Sequence, residues 1–84
     1  MKENTEPIEG LARGDRVRVQ AFGRHVDAIV EIAAGNGRSL MVSFDALLGG
    51  YVGMMPLLWS QDRTCYQDLI RGEKVVIETL EDES

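Results

Sequence analysis

From Asp15 to Glu78, apolar and polar residues alternate with a period of two over most of the chain, the spacing of half-buried β-strands. In "DRVRVQAF", Val17, Val19 and Ala21 fall on one face, and Arg16, Arg18 and Gln20 on the other. "GRH" then reads as a turn. "VDAIVEI" repeats the pattern, with Val26, Ala28, Val30 and Ile32 inward and Asp27 and Glu31 outward. "AAGNG" follows, and its Asn36–Gly37 pair is a hairpin signal because a type I′ turn needs positive φ at both central positions. "SLMVSF" places Leu40, Val42 and Phe44 on one side, with Asp45 bonding the backbone as that strand ends. "TCY" and "EKVVIE" supply short later strands. Between them, in "QDLIRG", Asp68 is expected to cap a single 3₁₀-type turn that Gly72 ends.

No segment supports a long helix, so the expected fold class is all-β: a small antiparallel barrel of five or six short strands, with one 3₁₀ turn before the last strand. Residues 1–12 read as a mobile N-terminal arm, 13–78 as the barrel domain and 79–84 as an acidic C-terminal tail. The stretch "YVGMMPLLW", Tyr51 to Trp59, breaks the rule by being apolar on both faces. Taking Val52, Met54 and Leu58 as inward leaves Tyr51, Met55, Leu57 and Trp59 outward, and the opposite choice also leaves an apolar outer set. Pro56 cannot donate a ladder hydrogen bond, which puts the strand at an edge or interrupts it there. A chain of 84 residues has no second layer to cover both faces. The expectation is therefore self-association, a dimer above all, or a protein partner, through Tyr51, Met54, Met55, Leu57 and Trp59.

The run "GDRVR", Gly14 to Arg18, opens three meandering strands, a fourth strand, one tight turn and a short closing strand. That order resembles the SH3-like barrel over residues 13–78, an architecture shared by KOW-type modules and by chromo- or Tudor-like readers. In size and layout it is also similar to the plasmid-borne, bacterial type II dihydrofolate reductases. These carry a short mobile arm before a Gly-Asp-Arg-Val-Arg strand and form a homotetramer around an active-site pore. The pore-lining Val-Gln-Ile-Tyr run of that family has no counterpart here, so reductase chemistry is not carried over. What the resemblance implies is a small bacterial protein and, as one functional expectation, an oligomer with a small-molecule site at its symmetry axis.

Composition adds two constraints. The net charge of −5 argues against general nucleic-acid binding. Residues 11–40 are locally basic, with five arginines against three acids, so Arg16, Arg18, Arg24 and Arg38 form a candidate nucleic-acid or anion contact as in KOW-like modules. Cys65 and His25 are the only residues of their kinds. A disulfide within the chain and a Cys/His metal site are thereby excluded, and no catalytic residue, metal ligand or cofactor is assigned. The lone thiol, with an N-terminus lacking the apolar core of an export signal, gives a cytoplasmic expectation; no stretch is long enough for a membrane helix.

Overall fold

The alternation becomes six strands in the computed structural model, which describes residues 3–80: β1 (Arg16–Ala21), β2 (Arg24–Ala34), β3 (Ser39–Leu48), β4 (Tyr51–Ser60), β5 (Cys65–Asp68) and β6 (Lys74–Thr79). All neighbours are antiparallel, and β6 returns to β1, closing the barrel in the order β1-β2-β3-β4-β5-β6. This is the all-β, SH3-like architecture expected, with β6 running through Thr79, which pairs with Val17. Val17, Val19, Val30, Val42, Met55 and Leu57 fill the interior; each such side chain withdrawn from water is worth about 1.5–3 kcal/mol. Tyr66 is also fully buried and meets Trp59 edge-on, with ring centroids 5.1 Å apart.

Several local features depart from the sequence pattern. The β1–β2 turn is Phe22–Gly23, not Gly23–His25: Ala21 pairs with Arg24, and Phe22 and Gly23 have φ of 53° and 73°. Phe22 accepts this disfavoured backbone because its ring lies against Gly49, where a Cβ would strike it, and under the Arg71 guanidinium, 5.8 Å from the ring centre. The β2–β3 hairpin has a four-residue connection rather than a two-residue one, with Gly35, Asn36 and Gly37 all at positive φ. In β2 the register slips by one residue at Glu31, between Val30↔Val42 and Ile32↔Met41. That bulge reverses the facing of everything after it, so Ile32, expected inside, stands outside at 56% exposure. A wider irregularity between Ser43 and Leu47 lets β3 continue past Asp45 to Leu48.

The turn before β6 is not a 3₁₀ turn. Gly72 N–H donates to Asp68 O at 3.1 Å, a bond across four residues that makes an α-turn, and Gly72 ends it at φ 67°. The capping role of Asp68 stands: Oδ2 accepts from Arg71 N–H at 2.8 Å and Oδ1 from Glu73 N–H at 2.7 Å.

The described part of the N-terminal arm does not stand apart from the barrel. β5 and β6 pair at only two positions, Tyr66↔Val75 and Gln67↔Lys74, which leaves a seam beyond them. The arm closes it. Asn4 Nδ2 donates to Ile77 O and its Oδ1 accepts from Ile77 N–H, both at 2.9 Å, so one amide side chain replaces a missing strand partner. Further along, Ile8 N–H donates to Tyr66 Oη at 2.9 Å, and Tyr66 Oη donates to Gly37 O at 2.6 Å. Ile8 and Leu11 pack on the core. A Cβ at Gly37 would run into the Ile8 carbonyl, which fixes glycine there. Asn4→Ala is expected to lower stability by about 1–2 kcal/mol, the cost of stranding two partly buried backbone groups. Urea unfolding measures the loss, and faster hydrogen exchange at Ile77 N–H locates it. Residues 81–84, most of the expected acidic tail, lie outside the described residues.

Candidate functional site

β4 resolves its ambiguity in favour of one face. Tyr51, Met55 and Leu57 point into the barrel and are buried, and Trp59 packs against the core while its Nε1 donates to Gln61 Oε1 at 3.1 Å. Of the five residues expected to form an interface, these four belong to the chain's own interior or its margin. Only Met54 faces out, together with Val52 and Leu58. The alternation sets this: Tyr51 is inward because its hydroxyl reaches the buried Asp68, and the odd positions that follow share its side. Pro56 faces outward and pairs with Met41, while β5 begins to cover β4 only at Leu57↔Asp68. The proline thus sits where β4 changes from a one-sided to a two-sided strand.

The outward face continues across three strands. Registers align Ile29 with Ser43 and Met54, then Ile32 with Met41 and Pro56, and Ser39 with Leu58. Ile29, Ile32, Met41, Met54, Pro56 and Leu58 therefore form one largely apolar surface, with Ser43 in its middle row and Glu31 as its one charged residue. Ile29, Ile32, Met54 and Leu58 are each at least 40% exposed. The Glu31 carboxylate lies over its middle row, accepting from Ser43 Oγ at 2.7 Å, 3.9 Å from the Arg13 guanidinium. Period-two reading misses this surface, because the bulge at Glu31 is what brings Ile32 to it.

The four arginines are not brought together. Arg16 and Arg18 share the outer face of β1, whereas Arg24 begins β2 and Arg38 lies beyond its far end, in the connection to β3. Arg18 is bracketed by acids: Nε to Asp27 Oδ1 is 3.1 Å and Nη1 to Glu78 Oε1 is 3.9 Å. Arg24 donates to Leu47 O and Arg38 to Gly35 O, both at 3.2 Å. Cys65 is buried on β5, while His25 is exposed on β2 opposite Gln20, so they make no nucleophile–base pair. Among the described residues no group of three His, Cys, Asp or Glu side chains is arranged to hold a metal, and no helix is long and apolar enough to cross a membrane.

The one buried charged side chain among the described residues is Asp68, at 1% exposure. Its Oδ2 accepts from Tyr51 Oη at 2.5 Å, and Ile70 N–H donates to the same hydroxyl at 3.3 Å. Burial alone raises the carboxyl, but the bonds from Tyr51 and from the Arg71 and Glu73 N–H groups outweigh it and hold the acid below its ordinary value. The Tyr51 hydroxyl is pushed up, by burial first and then by the carboxylate beside it. Burial also raises Tyr66, which the Ile8 N–H partly counters. Closed to solvent and fully bonded, this cluster fastens the β5–β6 turn and offers no reacting atom.

A second surface feature lies where β2 and β3 part. Their pairing stops at Ile29↔Ser43, although β2 begins five residues earlier and β3 runs five residues further. The fork between them holds a groove of about 410 Å³. Ala28 and Phe44 line its floor, and Arg16, Asp27 and Asp45 its walls. Comparison with family models, with curated proteins and with solved structures finds no match for this chain. Its functional reading therefore rests on these surfaces.

Proposed function

We propose that this protein is a non-enzymatic interaction module that self-associates through the outer face of β2, β3 and β4. The observation that carries the reading is the uncovered, largely apolar surface of Ile29, Ile32, Met41, Met54, Pro56 and Leu58, which spans three hydrogen-bonded strands and whose one carboxylate, Glu31, is bonded to Ser43. A surface of this kind marks a site of contact when it is contiguous. The partner that matches a largely apolar sheet face, its one carboxylate already engaged by Ser43 and Arg13, is the same face of another copy, packed sheet on sheet about a two-fold axis.

Three strands about 4.8 Å apart and some eight residues long at about 3.3 Å each present roughly 400 Å² per copy. A pair would bury about 800 Å², below the roughly 1,200–2,000 Å² of stable complexes, which places the dimer in the reversible class. Each copy carries −5, so moderate salt should strengthen association by screening repulsion, the reverse of salt's effect on nucleic-acid binding. Sedimentation velocity over a dilution series should show a monomer–dimer equilibrium that Met54→Lys abolishes. A monomer at every concentration up to about 1 mM, where contacts worth about 4 kcal/mol would register, overturns the reading.

A further inference from the structure

Among the described residues, the fork between β2 and β3 has two properties that the apolar face lacks: main-chain groups that no strand pairs and a carboxylate without a partner. Val30 directs its N–H and C=O toward β1, bonding Asp15 O at 2.9 Å and Gly14 N at 2.8 Å. Antiparallel pairing alternates the direction of these groups residue by residue. Those of His25 and Asp27 therefore point into the fork, where no strand of the described residues pairs with them. On the opposite lip, Leu47 O is already taken by Arg24 Nη1 at 3.2 Å, which closes the far end of the fork. What remains is a short open edge along β2, with an apolar floor of Ala28 and Phe44 between its two lips.

The charges at the rim select among extended segments. Asp27 is held by Arg18, but Asp45 is exposed and makes no hydrogen bond or ion pair among the described residues. An incoming chain meets two main-chain donors, two main-chain acceptors and the Asp45 carboxylate above an apolar floor, with the Arg16 guanidinium on the β1 wall, which keeps a basic residue to the Asp45 side.

We infer that the β2–β3 fork binds an extended peptide segment of alternating apolar and basic residues, added as a strand along His25–Asp27. Its main chain pairs with the free groups of β2. Its apolar side chains turn toward Ala28 and Phe44, and a lysine or arginine meets Asp45. The alternation follows from the strand itself, since successive side chains of an added strand face opposite ways. The open run of β2, residues 25–28, is about 13 Å long, so the middle of a pentapeptide lies along it while its ends overhang. Self-association is not required, although Ile29 and Ser43 border both surfaces.

The test uses the full chain carrying Met54→Lys, which separates the fork from dimerisation. The probe is acetyl-Lys-Val-Lys-Val-Lys-amide, and its partner control, acetyl-Lys-Val-Pro-Val-Lys-Lys-amide, keeps all three charges but has a central proline, which cannot donate to a ladder. Titration followed by amide NMR should move the signals of residues 24–29 and 43–47, slow hydrogen exchange at His25 and Asp27 N–H, and leave Leu58 unmoved. The proline peptide should bind at least about tenfold more weakly, and Asp45→Asn should weaken the lysine peptide by about three- to tenfold, the range of one partly exposed charge-assisted bond. Equal binding of the proline peptide, which reports charge attraction alone, overturns the inference. So do shifts centred on Met41 and Leu58, or no shift at millimolar peptide. Loss of dimerisation in the parent chain, with these shifts retained, would sink the proposed self-association and leave the fork standing.

Discussion

Asp68→Ala is expected to lower the free energy of unfolding by about 3–5 kcal/mol, because three donors lose their acceptor in the barrel wall and each stranded group costs about 1–3 kcal/mol before relaxation. Those donors are Tyr51 Oη, Arg71 N–H and Glu73 N–H. A chain of this length has roughly 4–13 kcal/mol of stability in all, so the loss brings it close to unfolding. The position matters more than the number of bonds. With only two residue pairs between them, β5 and β6 are joined chiefly by the turn that Asp68 organises and by the arm that Asn4 docks. Removing the carboxylate therefore loosens the seam where the barrel closes. Tyr51→Phe, which removes one donor and leaves the two backbone bonds, should cost less, about 1–2 kcal/mol. Urea denaturation of the three proteins gives the order.

Acidity supplies an independent readout of the same bonds. The Asp68 carboxyl lies lower in the folded chain than in the unfolded one, where it is near 3.8. Its contribution is therefore complete above that unfolded value and disappears as pH falls through the lower folded value. The gap in stability between the parent and Asp68→Ala should be constant near neutrality and narrow below about pH 4. A gap that stays constant into strong acid would mean that the ionised carboxylate is not what holds the turn.

How much of this was legible in the sequence depends on which faces are alike. Val17 and Val19 alternate with polar neighbours, Leu40 and Val42 with Ser39, Met41 and Ser43, and the facing of all four is read correctly from period two alone. Ile32 is misread because a bulge at Glu31 leaves no mark in composition: Glu31 looks like any outward acid. The Phe22–Gly23 turn is hidden because an aromatic residue at positive φ runs against turn chemistry, and only its packing on Gly49 and Arg71 explains it. Asn4 resembles any polar residue of a loose arm, and its role appears only once Ile77 is seen to lack a partner. Asp68 was legible as a cap, though not as the base of a buried Tyr51 hydroxyl seventeen residues away. On β4 both faces are apolar, so sequence could name the surplus surface without saying which residues own it.

That last ambiguity yields the sharpest pair of variants, because two adjacent leucines should fail in opposite ways. Leu57 is inside, at 1% exposure, between the β3 partner Leu40 and the β5 partner Asp68. Leu57→Ala should lower stability by about 2–5 kcal/mol, the cost of a lost buried side chain plus the cavity it leaves. It should leave association untouched in whatever fraction remains folded, since no atom of Leu57 reaches the outer face. Leu58 is outside, at 40% exposure, across from Ser39 and Gln67. Leu58→Lys should change stability by no more than about 0.5 kcal/mol, as surface substitutions do. It should weaken the dimer by at least tenfold, since closing a two-fold contact over this position would bury a charge from each copy. Circular dichroism melts and sedimentation on the same samples separate the two effects. If Leu58→Lys leaves association intact while Leu57→Ala disrupts it without unfolding the chain, the contact would have to involve the interior face. The barrel would then have to open to associate, making the exposed β2–β3–β4 surface a bystander.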